Sequence, residues 1–188
     1  EATALLSVCG TGPGDHTNMG ERTYQEGPPA QRRTLGREAF AAYYARIMGF
    51  PLLALRMRDV SAAVRVLREE LNFETVNIEA TGRAGIWVLH ASVLEANIDE
   101  LIIRDCLWSY EMMMREPEYT QPHLADIPRG ALLEYDLPHL MARFAPGTLT
   151  LQGPQNALGE TVSVTDRPEY QLIENAFAQT GGTLTLRK

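Results

Sequence analysis

Thr75-Val76-Asn77-Ile78-Glu79-Ala80-Thr81-Gly82-Arg83-Ala84-Gly85-Ile86-Trp87-Val88-Leu89-His90 reads as a strand, a tight turn and a helix. In a G-x-S-x-G frame, a turn of this kind presents a serine at the carboxyl end of a strand, where its hydroxyl can act as a nucleophile. The frame falls here on Ala80-Thr81-Gly82-Arg83-Ala84, so glycine holds the nucleophile's place. Glycine has no side-chain group to attack a carbonyl.

Outward from this turn, short apolar runs alternate with helical periods. Residues 2–9 form an apolar run bounded by glycine and predict a buried strand. Residues 10–36 have no apolar period and predict a long loop. Residues 37–48 predict a helix with Phe40, Tyr43, Tyr44 and Ile47 on one face. Asp59 predicts the cap of a second helix, carrying Val60, Ala63, Val64, Leu67 and Leu71 on its apolar stripe. Further strands are expected at 75–80, 100–104, 148–152 and 183–186, and the helix after the turn at 83–95. Residues 108–115 predict another helix, and the three prolines of 116–129 an irregular stretch. Asp136-Leu137-Pro138 has the cap and first-turn proline of a helix start, with Leu140, Met141 and Phe144 facing inward. Asp166 and Pro168 open a last helix that Gly181-Gly182 ends. Alternating strands and helices predict an α/β fold: a three-layer sandwich, a mostly parallel sheet of about five strands with helices on both faces. The whole of 1–188 reads as one domain.

Composition narrows the function classes. The formal net charge is −7, which argues against nucleic acid as a partner. No apolar run reaches the roughly 18 residues a membrane span needs. Cys9 and Cys106 fit two small buried apolar residues better than a disulfide. The four histidines show no metal-ligand spacing, so neither a metal nor another cofactor is expected. A chain that begins at Glu1 reads as a fragment or a processed product.

The order of parts resembles the α/β-hydrolase superfamily, and within it the acetyl-xylan-esterase and dienelactone-hydrolase-like esterases. Leu5-Leu6-Ser7-Val8-Cys9-Gly10-Thr11-Gly12 resembles the strand and glycine turn that often read D-x-R-G-x-G. Arg33-Thr34-Leu35-Gly36-Arg37, then Met48-Gly49-Phe50-Pro51-Leu52-Leu53, resemble the segment before the helices. Arg58-Asp59-Val60 through Leu67 resembles the helix that precedes the elbow. Leu133-Glu134-Tyr135-Asp136-Leu137-Pro138 and Ala145-Pro146 resemble the stretch before the seventh strand. Gly153-Pro154-Gln155-Asn156-Ala157-Leu158-Gly159 resembles the loop that bears the catalytic acid.

The resemblance implies the carboxyl-terminal part of that fold, strands four to eight of eight. It implies a carboxylic-ester hydrolase whose triad joins a nucleophile, a base that takes its proton, and an acid that orients the base. The nucleophile position is Gly82 and the acid position Asn156, which carries no charge to stabilise an imidazolium; no histidine follows His139. The resemblance therefore implies a degenerate module, supporting a catalytic esterase module to its amino-terminal side or another subunit, or binding a ligand in a vestigial cleft. An active esterase using other residues is the alternative, and a self-associating interface module a third. A secreted or periplasmic location goes with the family. Since the family's third strand is missing, residues 2–9 are expected to pair directly with the strand at 75–80.

The remaining chemistry-bearing residues have a bland reading beside the functional one. Asp15 and His16 form a loop pair or a ligand contact, Asp105 is a strand-end carboxylate or an alternative acid, and Trp108 is a core residue or a groove wall beside Met112, Met113 and Met114. Arg32, Arg33 and Arg37 form a salt-bridge cluster or a carboxylate site. His90, His139, Ser92 and Ser109 are expected to be structural, because none has a triad partner in the pattern.

Overall fold

In the computed structural model the described residues are 2–8, 22–23, 34–35, 37–94, 97–117 and 123–187. Strands β1 (Arg22–Thr23) and β2 (Thr34–Leu35) form a small antiparallel pair. Helices α1 (Arg37–Ile47) and α2 (Leu52–Arg65) follow, and α2 runs on as a π-helical turn over Val66–Glu70. Next come β3 (Asn77–Thr81), α3 (Arg83–Leu94), β4 (Glu100–Arg104) and α4 (Tyr110–Arg115). A 3₁₀ turn at His123–Asp126 and α5 (Ala131–Glu134) lead to α6 (Leu137–Arg143). The chain closes with β5 (Thr148–Gln152), α7 (Pro168–Thr180) and β6 (Thr183–Arg187).

The main sheet is parallel, four strands in the order β3-β4-β5-β6. Its pattern is legible in Thr-Leu-Thr-Leu-Gln of β5 and Thr-Leu-Thr-Leu-Arg of β6, where side chains alternate between the two faces. The register aligns Ile78, Leu101, Leu149 and Leu184 in one row and Ala80, Ile103, Leu151 and Leu186 in another on the same face. Right-handed crossovers between strands taken in chain order place every connecting helix on one side. Accordingly α3, α6 and α7 pack side by side and, with these rows, form a continuous apolar core. The opposite face carries Glu79, Arg104, Gln152 and Arg187. There Arg104 donates to Glu79 at 2.7 Å and also to Gln152, and its hydrogen bond and charge hold the Glu79 carboxyl below its ordinary range.

The α/β class and the parallel sheet agree with the sequence reading; several details do not. The sheet has four strands rather than about five, because residues 2–8 form no strand. Leu5 is 96% exposed and, among residues 2–8, only Val8 is buried, so apolar composition without a pairing partner did not make a strand. The expected pairing of that run with β3 is absent; among the described residues β3 pairs only with β4. Asp59 lies inside α2 rather than at its start: α2 begins seven residues earlier, after Pro51, because Leu52, Leu53 and Arg56 extend the buried stripe of Val60 and Val64 toward the amino terminus. Tyr43, Tyr44 and Ile47 of α1 point outward, and Ala45 is the side chain that packs.

Candidate functional site

The carboxyl ends of β3, β4 and β5 lie side by side, the edge at which open parallel sheets bind ligands. Each strand leaves the sheet through a left-handed residue: Gly82 (φ 60°), Asp105 (φ 49°) and Gly153 (φ 57°). The Gly82 N–H donates to the Arg104 carbonyl at 2.8 Å and the Asp105 N–H to the Gln152 carbonyl at 2.8 Å, which binds the three bends together.

The bend expected from the sequence is present, and α3 starts at Arg83 directly after it. Left-handed backbone at position 82 suits glycine, and a β-carbon added there would meet nothing within 4 Å. A side chain at this point would face open space. Gly85, three residues on, is instead a packing glycine, since a β-carbon there would come within 2.8 Å of Cys106 Sγ and Ile103 Cγ2. The absence of a side chain lets α3 lie close against β4. Burial of the Cys106 thiol pushes its pKa up to about 12, so it stays protonated and unreactive.

The other candidates hold structural posts. Asp105 is exposed beside Gly153, with its carboxylate against that residue's backbone. Asn156 closes its own loop: Oδ1 accepts from the Leu158 and Glu160 N–H groups at 2.9 and 3.0 Å, and Nδ2 donates to Glu160. Trp108 is buried in the core. Gly82, Asp105, Trp108 and Asn156 thus belong to one edge of the sheet, on the strands or the loops that follow them, yet none forms a nucleophile–base pair. Asp15, His16, Arg32, Arg33 and Cys9 lie outside the described residues.

His90, His139, Ser92 and Ser109 are committed elsewhere. His90 is 5% exposed; its Nδ1 lies 2.8 Å from the Ile86 carbonyl and its Nε2 2.9 Å from the Tyr135 hydroxyl. A carbonyl only accepts, so Nδ1 carries the proton and Nε2 accepts from Tyr135. Burial holds the His90 pKa below its ordinary value, against the opposing pull of the Ile86 bond and of Asp126. Ser92 donates to the Leu89 carbonyl within its own helix. Ser109, Asp136 and His139 have the residue types of a triad and the geometry of helix caps. Asp136 accepts from Ser109 Oγ, from the Tyr110 and Glu111 N–H groups and from the Leu137 N–H, at 2.8, 2.7, 3.1 and 2.6 Å. One carboxylate therefore caps both α4 and α6. His139 turns Nδ1 to the Asp136 backbone N–H at 3.1 Å, completing a capping box and leaving that nitrogen unable to donate to a carboxylate.

A second hub gave no signal in the sequence. Asp126, fully buried in the proline-rich stretch, pairs with the fully buried Arg56 at 2.6 Å and with Arg83 at 2.5 Å, and accepts from Trp87 Nε1 at 2.7 Å. Arg56 also lies over the Trp87 ring, 4.4 Å from its centroid. The cluster ties α2, α3 and the 3₁₀ turn together from three distant parts of the chain. Among the described residues no group of three or more His, Cys, Asp or Glu is placed to hold a metal ion, and no helix is long and apolar enough to cross a membrane.

No protein-family model matches the chain, and no curated protein matches it. Among solved structures, the chain is similar to a provisionally assigned carboxylesterase from Lactobacillus plantarum WCFS1, with a TM-score of 0.46 and 12% identity over 82% of this chain and 69% of that one.

Proposed function

We propose that this chain is a non-catalytic, esterase-like module of the α/β-hydrolase type, which supports a catalytic esterase module or partner subunit or binds a ligand beside it. The observation that carries the reading is the bend at Gly82: the backbone has the left-handed turn and the open space of a nucleophile position, without a hydroxyl or thiol. The commitments of His90, His139, Ser109 and Asn156 to buried or capping hydrogen bonds support it, because none of these groups stands free to activate or serve as a nucleophile. On this reading Gly82 marks a vestigial nucleophile position and Asn156 a vestigial acid position.

The test is hydrolysis of p-nitrophenyl acetate by the full chain and by Gly82→Ser. Both are expected to match the protein-free rate, since a lone serine lacks the base and acid that together account for several orders of magnitude in a triad. Turnover by the unaltered chain that a serine-directed phosphonate abolishes would overturn the proposal and make the chain a carboxylic-ester hydrolase.

A further inference from the structure

Trp108 is 1% exposed, and its indole Nε1 is buried without a hydrogen-bond partner. The other tryptophan, Trp87, gives its indole N–H to a carboxylate. An indole N–H can only donate, and leaving it unpaired in the interior is unfavourable. Beside Trp108 lies a small cavity of about 10 Å³, walled by Ile103, Cys106, Met141, Leu151 and Pro154. That size is about the minimum for one water molecule and too small for an organic ligand. No lining side chain carries a charge, which disfavours an ion.

We infer that this cavity is a binding site for a single internal water, which accepts from Trp108 Nε1 and donates to backbone carbonyls at the ends of β4 and β5. Suitable carbonyls belong to residues that line it. Those of Cys106, Gln152 and Pro154 each accept one N–H, from Gln155, Asp105 and Val162, and each oxygen has a second lone pair. The water joins the strand-end tryptophan to the loop after β5 and makes this edge of the sheet a hydrated joint, whatever the activity of the module.

The experiment uses the full chain labelled with ¹⁵N and ¹³C. The Trp108 indole N–H is expected to show a cross-peak to water in NOESY with the sign of a long-lived, protein-bound molecule, while Trp87, donating to Asp126, shows none. Under xenon pressure the methyl resonances of Ile103 and Leu151 should not move. In Trp108→Phe, which deletes the donor and enlarges the void, the same methyls should shift with xenon. A missing water cross-peak at Trp108, or xenon-induced methyl shifts in the unaltered chain, would show a dry cavity and overturn the inference; neither measurement depends on the variant folding.

Discussion

The edge of the sheet and the layer of helices behind it use their polar residues in opposite ways. At the edge, Gly82 offers bare backbone, Asp105 stands exposed and Asn156 closes its own loop. Behind it, Asp126, Asp136 and His90 are buried, and each joins elements distant in sequence. Among the described residues, Ser109, Asp136, His139, His90 and Asp126 are therefore engaged in holding helices. Residue type alone is thus a poor guide to chemistry here, whereas the partners of each polar atom are a good one.

The contrast makes buried polar hubs the points at which the fold is most easily broken. Asp126→Ala should have the largest effect, a loss of about 3–5 kcal/mol, because it breaks the fully buried Arg56–Asp126 pair by removing one partner; urea unfolding measures it, and a loss under about 1 kcal/mol would show that the cluster relaxes or hydrates. Asp136→Ala should follow at about 2–3 kcal/mol, since one change uncaps α4 and α6 together. A cost no greater than that of a single cap would separate the two helices.

The two glycines of the bend sharpen the comparison. Gly85→Ala should cost about 1–3 kcal/mol by forcing α3 away from Cys106 and Ile103. Gly82→Ala meets open space and should cost only about 1–2 kcal/mol, from the left-handed backbone. Chemical denaturation of the two variants compares them, and relief of the Gly85→Ala defect by a smaller residue at Ile103, with no such relief for Gly82→Ala, is the expected pattern. Equal response to that second change would refute the distinction between a packing glycine and a turn glycine.

The smallest effect concerns pH. The His90 pKa is lower folded than unfolded, so the unfolded chain binds the extra proton first. The contribution of His90 is unaffected above its unfolded pKa of about 6.5 and becomes unfavourable as pH falls below that value toward the folded pKa. The fall in stability on acidification should be shallower in His90→Gln; an unchanged slope would remove His90 as its cause.

Much of the fold was legible because periodicity is local. The alternation in β5 and β6, the bend at Gly82 and the Asp136-Leu137-Pro138 start all lie within one element or its cap. Residues 2–9 misled because a strand requires a partner, and partnering is not a property of the segment. Asp59 misled because a buried stripe outweighs a single cap signal. Asp126 was invisible, since its partners lie 70 and 43 residues away.

By itself the sequence determined an α/β chain with a glycine at the turn between β3 and α3, since hydrophobic period and side-chain identity are written residue by residue. Only the tertiary structure decided which polar groups meet: that Ser109, Asp136 and His139 build caps rather than a relay, and that Asp126 binds two arginines. Hydrogen bonds and ion pairs act over a few ångströms, and which groups come that close depends on how the helices pack against the sheet.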